Sequence, residues 1–308
     1  MKTKAIVLVG GFGTRIESVA QGRPKTLLEV YDEQGNIKPI FYFLLDKINK
    51  VNRDMGEDVI DEIMVLTNDK YYGQMIDACN NYKDSDIDIR VVSDHTTNNE
   101  NRLGANGDLK YIKDYMEDKR MEYDHVMILA GDNFFNFDLV DFIDYYNSKS
   151  EQADDAVCLI AKTFDKETIS YARNGFLMLD LDENDKIVDS VEKPGDTPIL
   201  QKSNKGAIAL YMMSREQFEK IDDFVKVNAD NKKVIDSLGF FGQYLSKKAS
   251  TFAWTDWDGV FVDIGTTRTY GQLWLDYEEK FNISVEDTNL PQQVKALVAK
   301  TKADDYQQ

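Results

Sequence analysis

Histidine and cysteine are scarce in this chain, with two of each among 308 residues. Cys79 and Cys158 stand far apart and lack metal-site spacing, which excludes a disulfide framework and a thiolate zinc site. His95 and His125 leave little for imidazole-centred catalysis. No apolar run reaches the length needed to span a bilayer. The head Met1-Lys2-Thr3-Lys4 is too short, and its apolar run ends too soon, for a secretory signal. Positive charge is in deficit, 37 Lys and Arg against 55 Asp and Glu, for a net charge of −18. That field repels a phosphate backbone, so neither nucleic acid nor an anionic membrane is expected as a partner. The expectation is a cytoplasmic protein. An anionic small substrate would need a local basic pocket, and Arg15, Lys25 and Lys193 are placed to supply one.

What the chain does have is an apolar stretch, Ala5-Ile6-Val7-Leu8-Val9, emptying into Gly10-Gly11-Phe12-Gly13-Thr14-Arg15, with Pro24-Lys25 beyond. A strand that ends in a glycine-rich loop offers backbone N–H groups to an anion, because glycine permits tight turns and close approach. A planar Arg and a mobile Lys beside it point to a polyphosphate. The dinucleotide fingerprint does not fit, since Ile16 stands where a small residue is needed. A Walker loop does not fit either, because Gly-Thr-Arg replaces Gly-Lys-Ser/Thr. An ordinary strand-to-helix turn is the plain alternative.

Hydrophobic 42% composition supports a substantial core, and strand-like and helix-like segments alternate, which predicts a parallel sheet covered by helices. Strands are expected at 5–9, 60–67, 87–92 and 125–129, and helices at 39–52, 71–82, 104–116 and 138–148. The polar stretch 93–102 reads as a loop. The later half reads as a mixed sheet, with strands at 157–162, 207–212 and 251–254, a hairpin turn at 182–185, and helices at 215–225 and 236–248. The tail at 291–302 carries Val294, Leu297 and Val298 on one helical face, to cap its own domain or dock a subunit. Phe240, Phe241, Trp254 and Trp257 read as packing residues, and Asp256 and Asp258 as exposed loop charges.

The glycine loop with Pro24-Lys25 resembles the sugar-1-phosphate nucleotidylyltransferase family, the nucleoside-diphosphate-sugar pyrophosphorylases. The resemblance continues in order through Leu103-Gly104-Ala105-Asn106-Gly107, Gly131-Asp132-Asn133, Glu192-Lys193-Pro194, Gly206 and Asp263-Ile264-Gly265-Thr266, covering about residues 4–275. It implies an α/β, Rossmann-like fold with a mainly parallel mixed sheet flanked by helices, a smaller antiparallel sugar-side subregion and a C-terminal helical tail. Residues 1–282 would form the nucleotidyltransferase domain, 1–150 its nucleotide-binding half and 151–282 its sugar-phosphate-binding half, with 283–308 as the tail.

The resemblance also implies the chemistry. A sugar 1-phosphate oxygen attacks the α-phosphorus of a nucleoside triphosphate in line and pyrophosphate leaves, a reaction that needs positioning and charge neutralisation rather than a protein nucleophile. Arg15 would hold the leaving phosphates and Lys25 those nearer the reacting centre. Gly10, Gly11, Gly13, Thr14, Asn99 and Gly104 would bind the nucleotide, with Asn99 at the position where thymidylyl- and uridylyl-transferring relatives often carry Gln. Gly175, Glu192, Lys193 and Gly206 would bind the sugar phosphate. Asp132 and Asp263, each ending an apolar strand, would hold Mg²⁺, although each could instead cap a turn. The Gly-Asp-Asn form favours dTTP or UTP with glucose 1-phosphate. CTP or GTP with another sugar or alcohol phosphate is the alternative, and a silent sugar-nucleotide-binding regulator or a nicotinamide oxidoreductase are the readings outside this chemistry. A homo-oligomer is compatible with the sequence.

Overall fold

In the computed structural model, residues 2–31, 36–200 and 203–305 are described; Met1 and residues 306–308 of the tail lie outside them. Ala5, Ile6 and Val7 are fully buried because the strand Thr3–Leu8 lies between two parallel neighbours, Ile60–Thr67 and His125–Ala130. A strand covered on both faces is apolar without alternation, as this one is from Ala5 to Leu8. Asp88–Ser93 extends the parallel part of the sheet beyond Ile60–Thr67. On the other side Lys205–Ser214 runs antiparallel to His125–Ala130. It also pairs with Leu177–Leu181 and with Val157–Thr163, and these lead to the edges formed by Ile187–Glu192 and Thr251–Trp254. One continuous nine-stranded sheet therefore joins the two halves of the chain.

Each face of the sheet has its own apolar core. The helices Ile40–Met55, Tyr72–Asn81 and Leu139–Ser150 pack on one face, and Ala105–Asp118, Ile221–Asn228 and Leu238–Leu245 on the other. The first of these shows how sequence sets an element. Phe41, Leu44, Leu45, Ile48 and Val51 recur at helical spacing and are all buried, Pro39 precedes the first turn, and Gly56 ends it at φ +67° with its N–H on the Asn52 carbonyl.

The structure adds a small hairpin, Glu29–Tyr31 with Ile37–Pro39, where no strand is expected. It also divides two expected helices. The 215–225 segment becomes Arg215–Glu219 and Ile221–Asn228, and the 236–248 segment is preceded by Lys232–Asp236 and resumes at Leu238–Leu245. Between the latter two, Ser237 is extended at φ −119° and ψ 116°. That break frees the Ser237 hydroxyl for the site described below.

A third core lies beneath the glycine loop. Ile16, Val19 and Ala20 pack there with Trp274 of the helix Thr267–Phe281 and with Leu290, Val294 and Val298 of the tail. The tail helix, Gln292–Asp305, therefore supports the segment that follows the loop.

Candidate active site

Parallel pairing places Leu8 opposite Ala130, so the loops that follow both strands emerge side by side at the same sheet edge. The Gly131 N–H donates to the Leu8 carbonyl at 2.9 Å, and the Val9 N–H to the Leu66 carbonyl at 2.8 Å. Gly13 turns the loop at φ +62°, where a β-carbon would be strained. Two side chains fix its shape. Asn68 Nδ2 donates to the Gly10 carbonyl at 2.8 Å, and the Tyr71 hydroxyl to the Phe12 carbonyl at 3.0 Å. Ile16 is fully buried, consistent with a loop that is no dinucleotide fingerprint.

Lys25 reaches this loop from the next segment and makes an ion pair with Asp132. Burial works against its charge, but Asp132 and Asp263 outweigh that effect and raise its pKa. Asp263 is delivered by the short strand Phe261–Asp263, which pairs with Asn133–Phe135 so that Asp263 lies opposite Asn133. Burial pushes Asp263 up to about 6, and the neighbouring Asp132 charge adds to the rise against Lys25, Arg15 and Lys193. A β-carbon on Gly265 would stand 3.3 Å from Asp263 Oδ1 and 3.5 Å from Arg15 Nη2, so this glycine keeps the space between them open.

Two carboxylates that repel one another beside an open cavity suit a hard cation. Mg²⁺ commonly takes one or two protein carboxylates and completes its shell with water and phosphate oxygens. Among the described residues no group of three or more acidic, His or Cys side chains could hold a metal ion, so the pair Asp132 and Asp263 is what the site offers a cation. Asp132 and Asp263 fit that group.

At the far side of Asp263, Glu192 is buried, and its Oε1 accepts from the Ser237 hydroxyl at 2.5 Å and lies 3.3 Å from Lys193 Nζ. Lys193 Nζ in turn donates to Ser237 Oγ at 2.6 Å. Burial raises the Glu192 pKa, with Ser237 and Lys193 opposing. Its other oxygen, Oε2, is buried without a hydrogen-bond partner, and Gly239 is the residue that leaves room for it. Lys193 adopts φ +47°, an uncommon conformation for a non-glycine residue that turns the chain between Glu192 and Pro194.

These groups line two adjoining cavities. The larger, of about 520 Å³, takes the glycine loop with Thr14, Arg15, Lys25, Asn99 and Gly104. The smaller, of about 250 Å³, takes Gly175, Glu192, Lys193 and Asp263. Asp132 lines both. Gly206 lies behind the smaller cavity, where a β-carbon would come 2.9 Å from Phe164 and 3.1 Å from Phe176; Ala207 is the lining residue. Asn99 is exposed at the rim, its amide oxygen accepting from Arg102 Nη1 at 2.6 Å. Gly104, at φ +80°, passes so close to Asp236 that a β-carbon would lie 2.9 Å from the Asp236 Cα.

Sequence reasoning missed Asp94, Asp108 and Asp236 in the larger cavity and Ser237 and Gly239 in the smaller. Asp94 carries the same signal as Asp132, an aspartate just past an apolar parallel strand. The others stand on elements whose approach to the site only the tertiary fold reveals.

The sequence pattern of the nucleotidyl transferase family matches residues 4–280. A D-glycero-alpha-D-manno-heptose 1-phosphate guanylyltransferase of Campylobacter jejuni is 25% identical over 87% of this chain and 96% of its own length. A Sulfolobus acidocaldarius protein, provisionally named mannose-1-phosphate guanyltransferase, is 25% identical over 88% of this chain, which spans 62% of that relative's length. A solved UDP-glucose pyrophosphorylase in complex with UDP-glucose superposes with a TM-score of 0.66 at 16% identity, covering 91% of this chain and all of its own, and so shares the fold. With that pattern running through the glycine loop, both cavities and the aspartates between them, the chain belongs to the nucleotidyl transferase family.

Proposed function

We propose that this protein transfers a nucleotidyl group from a nucleoside triphosphate to a hexose 1-phosphate, giving a nucleoside-diphosphate sugar and pyrophosphate. The observation that carries this reading is the meeting of two cavities at Asp132, with Lys25 and Asp263 beside it. A triphosphate laid along Gly10–Arg15 brings its α-phosphorus to that junction. A sugar phosphate held by Glu192 and Lys193 approaches from the opposite side, as an in-line displacement requires.

In the reaction, a phosphate oxygen of the sugar 1-phosphate forms the new bond to the α-phosphorus while the bond to the bridging oxygen of pyrophosphate breaks. Arg15 neutralises the departing β- and γ-phosphates. Lys25, held charged by Asp132 and Asp263, faces the α-phosphate, where negative charge gathers in the transition state. The buried, unpartnered Glu192 Oε2 accepts from sugar hydroxyls. Lys193 holds the sugar phosphate. Asp132 and Asp263 would hold Mg²⁺, which when bound supplies charge neutralisation to the phosphate oxygens.

The reading of dTTP or UTP with glucose 1-phosphate rests on the Gly131-Asp132-Asn133 form, and Asn99, standing where thymidylyl- and uridylyl-transferring relatives often carry Gln, departs from it. Two relatives are named for guanylyl transfer to mannose-type sugar phosphates, and two others for adenylyl transfer to glucose 1-phosphate. Incubating the protein and Mg²⁺ with each triphosphate and a series of hexose 1-phosphates, with mass-spectrometric detection of nucleotide sugar, tests the proposal. A nucleotide sugar formed with one pyrophosphate per turnover is expected; orthophosphate in its place, or no product, overturns it.

A further inference from the structure

Two carboxyl groups meet on the wall of the larger cavity. Asp94 follows the strand Asp88–Ser93, and Asp108 stands in the first turn of the helix Ala105–Asp118. They are 6% and 7% exposed and both line the cavity. A β-carbon on Gly10 would lie 3.0 Å from Asp108 Oδ2 and 3.7 Å from Asp94 Oδ2, so these oxygens converge beside the backbone of the glycine loop. Asp94 Oδ1 is already engaged, accepting from the Thr96 N–H at 2.7 Å and its hydroxyl at 2.8 Å. Asp108 Oδ1 is buried and has no hydrogen-bond partner. The neighbouring cation, Arg102, pairs with Asp236.

Buried carboxyl oxygens without donors are unfavourable, and a purely structural pair would be matched by a cation or by N–H groups. Among the described residues no donor meets Asp108 Oδ1, and both carboxyl groups line the same cavity as Gly104. Asn99 is farther out, at the exposed rim. The bases differ in what they offer such a wall. Guanine presents two adjacent donors, N1–H and the 2-amino group. Uracil and thymine present one N–H flanked by two carbonyl acceptors, which a carboxylate repels. Adenine and cytosine present an amino group beside a ring-nitrogen acceptor. Charge-assisted pairing to two parallel N–H groups is the strongest of these options.

We propose that Asp94 and Asp108 read the base of the triphosphate and select guanine through its N1–H and 2-amino donors. The proposal rests on the nucleotidyl-transfer reading of the site and names the substrate within it. Burial, with the adjacent Asp94 adding, holds the Asp108 carboxyl well above the usual carboxylate range.

The test compares GTP with ITP, which lacks only the 2-amino group, and with UTP and dTTP. Calorimetric binding and pyrophosphate release are both measured on the intact chain. GTP is expected to exceed ITP roughly 10- to 100-fold in affinity and in kcat/KM, the range of one hydrogen bond to a charged group, and to exceed UTP and dTTP by more. Asp94→Asn and Asp108→Asn should bring the GTP-to-ITP ratio toward one. Should either variant fail to fold, the wild-type ratio alone decides. Equal binding of GTP and ITP, or preference for UTP or dTTP, overturns guanine selection and leaves nucleotidyl transfer standing. Selective GTP binding with no pyrophosphate from any sugar phosphate supports the base assignment while overturning the transfer reading.

Discussion

Thr26 Oγ1 donates to the Gly131 carbonyl at 2.5 Å, and the two residues are each one position from the Lys25–Asp132 ion pair. This buried bond links segments 105 residues apart in sequence and holds the cation and the carboxylate in register. Thr26→Val keeps the shape but leaves the carbonyl unsatisfied, which costs about 1–3 kcal/mol of stability. Thermal or urea denaturation should show that loss. Pyrophosphate release should show a lower kcat with little change in KM, because the bond positions Lys25 rather than binding substrate. An unchanged kcat in a destabilised variant would assign Thr26 to packing alone.

Gly239 makes room for the Glu192 carboxylate. A β-carbon there would collide with Glu192 Oε2, and the carboxylate would move only by leaving the Ser237 hydroxyl that holds it at 2.5 Å. Gly239→Ala should therefore raise KM for the sugar 1-phosphate about tenfold or more, on the scale of about 1–3 kcal/mol of overpacking, while triphosphate binding stays near wild type. A rise in triphosphate KM instead would place Glu192 on the wrong side of the reaction.

The raised Asp108 pKa carries a sign for stability. Burial, with Asp94 and Asp236 adding, disfavours its ionised form in the folded state. Its contribution is therefore fully present below the unfolded carboxylate range and is lost as pH rises toward the folded value. Asp108→Asn cannot ionise and does not lose it. Its melting temperature should exceed wild type at about pH 8, with the gap narrowing toward about pH 5. A gap that widens on acidification would contradict this assignment.

Leu290 is 5% exposed in the core shared by the tail and the residues that follow the glycine loop. Leu290→Ala should cost about 2–5 kcal/mol of stability. Because Ile16 and Val19 lie in the same cluster, triphosphate affinity should fall as well. Calorimetry on the folded fraction would check that coupling; unchanged affinity would make the tail a cap for its own domain only.

Much of this was legible in the sequence for physical reasons. A strand buried on both faces carries an apolar run, so residues 5–8, 63–66 and 126–130 marked three strands, and the segments beyond the first and last carry Arg15, Lys25 and Asp132. Local signals failed where tertiary demand overrode them. The break at Ser237 has no breaker residue, and it serves Glu192, 45 positions away. The hairpin Glu29–Tyr31 with Ile37–Pro39 is too short for periodicity to show. Asp108 is in sequence an acid in the first turn of a helix, and only the approach of Gly10 and Asp94 reveals its setting.

Lys25, which Asp132 and Asp263 keep charged, is the group assigned to neutralise charge at the phosphorus being transferred. Pyrophosphate release by Lys25→Ala at saturating triphosphate and sugar 1-phosphate, with native folding confirmed by circular dichroism, tests it most directly. A fall in kcat of roughly 100- to 1000-fold is expected, the loss of one preorganised charge. Release at the wild-type rate would contradict it.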